Sequence, residues 1–257
     1  MASNQKLISF DLKAEMGFFK KPDINSGVCL TYNMLHKPAL LGILGAIAGL
    51  QGYQKNGELP DYYRQLNHLR VGIMPLGSNN GNFQKDIITY NNGTGFASSE
   101  SGGNLMVTEQ MILKPSYRCY LLLNLDVSEE KTLYDRIWKK EAEFLPYMGK
   151  NDFSAWWDNV VEYSQFAEFD FDRDYKISTI FAKDNAVSGY EKKMTSMFSD
   201  SAMEIKFLYF EKLPVSFDEK LLQYEYKDFV YSNFPFRKDM VLEGLYRLDN
   251  KEIIQLF

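Results

Sequence analysis

Pro38-Ala39-Leu40-Leu41-Gly42-Ile43-Leu44-Gly45-Ala46-Ile47-Ala48-Gly49-Leu50 runs for thirteen residues without a charge. Proline, with its fixed φ and no amide hydrogen, suits a first helical turn, so the stretch predicts a helix that starts at Pro38. A bilayer needs about 20 apolar residues, so this helix belongs in a protein core. Gly42, Gly45 and Gly49 fall near one face at 3.6 residues per turn and would let a sheet or a ligand approach closely. Packing against the chain's own sheet is the expectation. The glycines form no phosphate loop, because the Lys-Ser/Thr ending is missing, and they do not fit dinucleotide spacing.

Upstream, Thr31-Tyr32-Asn33-Met34-Leu35-His36-Lys37 sets polar and aromatic groups where a helix N-terminus has unpaired donors. The segment could seat a phosphate, or Thr31 and Asn33 could shape the turn while Tyr32 packs. Before it, Leu7 to Ala14 alternates with period two and predicts a strand that continues toward Phe18. Downstream, Pro60 to Asn67 reads as a short helix or a connector, and His68 to Met74 as a second strand with His68 on the surface. From Ser78 to Asn104, 15 of 27 residues are Asn, Gly or Ser. With Asn92-Gly93 inside it, this stretch predicts a protruding β-hairpin. Leu105 to Met111 and Tyr117 to Leu125 read as strands paired around Lys114-Pro115-Ser116. Glu129 to Phe144 reads as a helix with Leu133, Ile137 and Trp138 on its apolar side.

The order is close to βαββαβ, a ferredoxin-like layout shared with RNA-recognition folds. Past residue 150 the pattern turns to aromatic strands: Val160–Phe171, Lys176–Ala182, Met203–Glu211 and Leu222–Tyr231. The expectation is an α+β protein, with a ferredoxin-like unit at 1–150, a thumb hairpin at about 78–104 and a smaller β-rich region at 151–257.

The 257 residues, 45% of them apolar, suffice for one large domain or two small ones. Two cysteines, Cys29 and Cys119, and two histidines provide no ligand cluster, so neither metal nor cofactor is expected. The chain shows no secretory pattern and no long apolar span, which predicts a cytoplasmic protein without a membrane partner. A formal charge of −5 argues against coating nucleic acid with the whole surface. Residues 1–120 hold 11 Lys/Arg and 8 Asp/Glu, a net of +3, and the rest holds 18 and 26, a net of −8. A polyanion would therefore meet the first half, leaving the acidic second half to protein partners or water.

Four stretches occur in an order that resembles the CRISPR-associated Cas five family, most like its type I-B branch. They are Gly17-Phe18-Phe19-Lys20-Lys21, Thr31-Tyr32 through Gly49, Glu109 through Tyr120, and Phe144-Leu145-Pro146-Tyr147-Met148-Gly149-Lys150-Asn151-Asp152-Phe153. A Lys212-Leu213-Pro214 turn after a strand adds to them. The resemblance spans most of residues 6–215. It implies a RAMP-superfamily fold, ferredoxin-like with an inserted thumb, and a place in the Cascade surveillance complex for antiviral defence. There the subunit caps the 5′ handle of the crRNA, touches the backbone and large subunits, and meets target DNA only through the complex.

Such a handle needs aromatic faces, amides for base edges and cations for phosphates. Phe18, Phe19, Tyr32 and Phe83 are candidates for the first, and Asn33, Asn80, Asn82 and Asn92 for the second. Lys20, Lys21, Lys85, Arg118 and Lys150 are candidates for the third, with His36 beside them. Core packing or plain solvation is open to each. One branch of the family cuts precursor RNA without metal, and Tyr32, His36 and Lys114 are the set that could do so here. Pro115 stands where that branch carries a histidine after the lysine, so a non-catalytic subunit is the expected role.

Overall fold

The computed structural model describes residues 4–23, 27–92, 105–183 and 206–257. Its first half contains β1 (Gln5–Ala14), β2 (Met16–Gly17), β3 (Phe19–Lys20), β4 (Val28–Cys29), β5 (Thr31–Tyr32), α1 (Lys37–Ala48), α2 (Asp61–Leu66), β6 (Arg70–Pro75), β7 (Lys85–Asn92), β8 (Leu105–Leu113), β9 (Ser116–Asn124) and α3 (Ser128–Lys139). After these come β10 (Ala155–Tyr163), β11 (Phe166–Glu168), β12 (Phe181–Ala182), β13 (Leu208–Asp218), β14 (Gln223–Ser232), β15 (Leu245–Leu248) and β16 (Ile253–Gln255). No described helix is long and apolar enough to cross a membrane.

The chain is a mixed α/β protein with mostly antiparallel sheets. Its principal sheet has the order β10-β1-β9-β6, with every neighbouring pair antiparallel. Alternation along β1 gives that sheet two apolar faces. Ile8, Phe10 and Leu12 join Leu40, Leu44, Leu133 and Ile137 of the helices, while Leu7 joins Tyr120, Tyr163, Tyr246, Ile254 and Leu256. The last strands of the chain thus cover the face opposite the helices. β10 lies beyond residue 150 yet forms the outer strand of the principal sheet, so a division at that point would cut that sheet.

Helix α1 forms as its sequence predicts and ends on Gly49, whose φ of 79° terminates it in a left-handed cap. Gly42 and Gly45 face Tyr62 of α2 rather than the sheet, and Gly49 faces Glu143 and Arg136. A Cβ on Gly45 would run into Cβ of Tyr62 and lie 2.9 Å from its Cγ. The closeness serves helix-to-helix packing.

Within the stretch expected to form a hairpin, β7 pairs antiparallel with β8, which begins after it, and the expected turn at Asn92-Gly93 reaches into residues 93–104, outside the described residues. The expected β8–β9 pairing does not occur. β8 pairs with β7, β2 and β4, while β9 lies between β1 and β6. Lys114, at φ 46°, and Pro115, which has no N–H, turn the chain from one sheet into another. Helix α3 stops earlier than its pattern suggested, because Lys140 takes a left-handed conformation, and Trp138 is 42% exposed. Lys212-Leu213-Pro214 lies inside β13, with a register shift between Pro214 and Ser216, instead of forming a turn.

Candidate nucleic-acid interface

Strand β3 pairs with β5 through Phe19↔Tyr32 and Lys20↔Thr31. The Thr31 hydroxyl fixes this corner by accepting the Phe19 N–H at 2.8 Å and donating to the Tyr32 carbonyl at 2.8 Å. Alternation then turns Phe19 inward and Lys20 outward. Phe18 and Phe19 are core residues, 5% and 3% exposed, so they do not supply free faces for bases. The apolar burial of two phenylalanines outweighs what one stacked base would contribute at a surface.

Asn33, Phe83 and Lys85 do come together, through bonds within the fold. The Asn33 amide donates to the Gly81 carbonyl at 2.6 Å, and its oxygen accepts the Phe83 N–H at 3.1 Å and the Lys85 ammonium at 2.6 Å. Burial holds the Lys85 pKa below the usual lysine range, opposed by the Glu211 carboxylate. Phe83 is buried edge-on against Tyr117, 5.1 Å between centroids. Asn80 and Asn82 are exposed in the turn bridged by Asn79↔Asn82, with Asn80 at φ 52°. The Asn92 side chain lies outside the described residues.

His36 caps α1. Its Nδ1 accepts the Ala39 N–H at 3.3 Å, and the rings of Phe19, Tyr32 and Tyr224 surround it at 5.7, 5.4 and 5.6 Å. Burial pushes its pKa down to about 3. Tyr32 is buried with its hydroxyl 3.3 Å from that of Tyr226, and burial followed by that neighbour raises its pKa. Lys114 is exposed in the turn after β8, where its N–H bonds the Glu15 carbonyl. These geometries give His36 and Tyr32 packing and capping roles.

Two further predicted cations are committed to carboxylates. The Arg118 guanidinium forks onto Asp11 at 2.7 and 3.1 Å, and Asn159 adds a bond to the same carboxylate at 2.8 Å. Burial alone would raise the Asp11 pKa, but these bonds and the Arg118 charge outweigh it and hold it below the usual range. Lys150 donates to Glu109 and to the Tyr90 hydroxyl, each at 2.7 Å.

Lys20 and Lys21 remain beside open surface. Lys21 lines a depression of about 520 Å³ with Asp23, Tyr32, Tyr209, Phe210, Glu211, Lys212 and Tyr226. Its ammonium lies 5.2 Å from the Tyr32 ring centroid and 3.7 Å from Glu211, while that of Lys212 lies 5.6 Å from the Tyr226 ring. Lys20 lines a neighbouring groove of about 470 Å³ along α1, with Tyr53, Phe144, Tyr147 and Tyr224 among its walls. Tyr224 and Tyr226, 6.2 Å apart, divide the two hollows. Ammonium groups beside ring faces suit a single strand, with phosphates on the lysines and bases on the rings. The sequence reading missed Tyr209, Phe210, Lys212, Tyr224 and Tyr226. The alternating Tyr224-Glu225-Tyr226 was the available signal, but nothing local placed it beside Lys21.

No family model matches the chain, and no curated protein does. Among solved structures, a CRISPR protein from Archaeoglobus fulgidus matches at 11% identity over 97% of each chain, with a TM-score of 0.50. The chain is similar to it in fold. A chain of a CRISPR RNA-guided surveillance complex matches at 13% identity over 88% of this chain and 91% of its own, with a TM-score of 0.48. A chain of the Type III-B Cmr-beta complex bound to cognate target RNA and AMPPnP matches at 11% identity over 91% and 86%, with a TM-score of 0.47.

Proposed function

We propose that this chain is a non-catalytic, RNA-binding subunit of a type I CRISPR surveillance complex, of the Cas five kind, and that it holds the 5′ handle of the crRNA. The order β10-β1-β9-β6 supports a ferredoxin-like reading, being the fourth, first, third and second strands of a βαββαβ unit. The hairpin β7–β8 enters between the second and third of these, where a thumb is expected.

The observation that carries the proposal is the depression in which Lys21 and Lys212 stand beside the half-buried Tyr226 and the exposed Phe210, combining ammonium groups and aromatic faces. A handful of such contacts holds a single strand without a basic protein, at about 1–3 kcal/mol per stacked base. The non-catalytic reading is supported by His36, whose Nδ1 is taken by a backbone N–H and whose ring is enclosed by aromatics. In this reading the acidic second half meets the backbone or large subunit.

A titration of the protein with end-labelled repeat RNA in excess chelator tests both parts. Intact RNA retained through its 5′ handle is expected. Cleavage at one site, abolished by Tyr32→Phe or His36→Ala, would make the chain a processing endoribonuclease instead, and absence of binding would remove the RNA role.

A further inference from the structure

Lys150 reads from sequence as a cation for phosphate, but its surroundings describe a different task. Each hairpin strand contributes one group to it: Tyr90 from β7 and Glu109 from β8. The Lys150 ammonium donates to both at 2.7 Å, the Tyr90 hydroxyl donates to the other Glu109 oxygen at 3.1 Å, and the ammonium lies 4.3 Å from the Tyr90 ring centroid. The Glu109 side chain is 9% exposed and is paired with Lys150 at 2.7 Å.

The loop that carries Lys150 is itself tied to the segment bearing Lys20 and Lys21. The Met148 carbonyl accepts the Phe18 N–H at 3.0 Å, and the Met148 N–H returns to the Phe153 carbonyl at 2.8 Å. Gly149, at φ 82°, presses its α-carbon against the Phe18 carbonyl, where any Cβ would clash. Among the described residues β7 pairs with β8 alone, and Ile87 and Met106 on β7–β8 are 56% and 59% exposed, so beyond the backbone bonds of β8 to β2 and β4 the hairpin takes its orientation from side-chain attachments such as that to Lys150.

We propose that Lys150 is a positioning residue: it pins both strands of the hairpin to the 147–153 loop, and through Phe18 sets the hairpin relative to Lys20 and Lys21. The consequence for RNA rests on the function proposed above, whereas the pinning itself does not.

Hydrogen exchange of the free full-length protein tests the pin. In Lys150→Met, amides of β7 and β8 should exchange about tenfold faster or more, with those of β1 and β9 unchanged. Glu109→Gln, which removes the anchor but keeps the cation, should do the same and serves where the lysine variant fails to fold. Both variants should weaken repeat-RNA binding with no change in its salt dependence.

A lysine that contacted phosphate would act otherwise. Lys150→Met would then lower the slope of log K against log salt by roughly 0.7, and Glu109→Gln, by freeing the ammonium, would strengthen binding. Unchanged hairpin exchange in both variants, or that pattern of salt slopes, overturns the proposal. Faster hairpin exchange with unaltered RNA affinity supports the pin and counts against the hairpin's part in RNA binding.

Discussion

Glu211 on β13 accepts the backbone N–H of Asn33 at 2.9 Å across 178 positions of sequence. The other oxygen of the same carboxylate accepts the Met34 N–H at 2.9 Å and the Tyr209 hydroxyl at 3.0 Å. One buried side chain from the second half of the chain thereby supports the loop that leads into α1.

Removing that carboxylate strands two backbone donors. Glu211→Ala should lower stability by about 2–4 kcal/mol, the cost of leaving two buried N–H groups without an acceptor. Glu211→Gln, which keeps one acceptor oxygen, should lose about half as much. Urea unfolding midpoints measure both, and a loss under about 1 kcal/mol in the alanine variant would mean that water replaces the carboxylate.

Two glycines of α1 should respond with opposite signs. Alanine is favoured over glycine in a helix by about 1 kcal/mol. At Gly42 the nearest atom to an added Cβ is 3.7 Å away on Tyr62, an ordinary contact, so Gly42→Ala should stabilise. At Gly45 the added carbon meets the Tyr62 Cβ, and overpacking of about 1–3 kcal/mol should exceed the helical gain. Thermal unfolding of the two variants is the check. Stabilisation at Gly45 would mean that α2 shifts freely.

Acid should weaken the fold before its carboxylates titrate. Burial depresses the His36 pKa to about 3, while an unfolded histidine takes a proton near 6.5. The unfolded chain binds that proton first as the pH falls. The contribution of His36 is therefore complete above about 6.5 and declines toward 3 by up to about 1.4 kcal/mol per pH unit. Between pH 7.5 and pH 5, stability should drop by about 2 kcal/mol from this group. His36→Asn, which keeps a capping side chain, should flatten the profile in that window when measured in a His68→Gln background. An unaltered slope would mean that His36 is protonated in the fold.

RNA binding should depend on the lysines of the two neighbouring hollows and not on Arg118. Lys212→Ala and Lys20→Ala should each reduce the salt slope by roughly 0.7. Arg118→Ala should leave the slope unchanged and lower stability, because its guanidinium neutralises the buried Asp11. Filter binding at several salt concentrations decides this, and a slope that falls only with Arg118→Ala would move the interface to the opposite face of the sheet.

Periodicity and turn chemistry made the elements legible. The alternation of Leu7–Ala14 and the uncharged run from Pro38 correspond to β1 and α1, and the Asn/Gly-rich stretch ending at Asn104 contains β7. These are local properties, set within a few residues by backbone preference and side-chain period. The partner of β8 was not legible, since a strand's pattern states which face is buried but not which neighbour bonds its edge.

From its sequence alone this protein had an element order consistent with βαββαβ, a helix that had to be buried and a candidate hairpin. Only the tertiary structure decided which candidate site residues are free. Arg118 and Lys150 are held by Asp11 and Glu109, 107 and 41 positions away, and Asn33 is spent on Gly81, Phe83 and Lys85. Lys21 meets Lys212 and Tyr226 around one depression because β13 and β14 fold back beside β3 and β5. The reason is physical: a side chain's charge is local information, whereas its counterion and its solvent exposure depend on segments far along the chain.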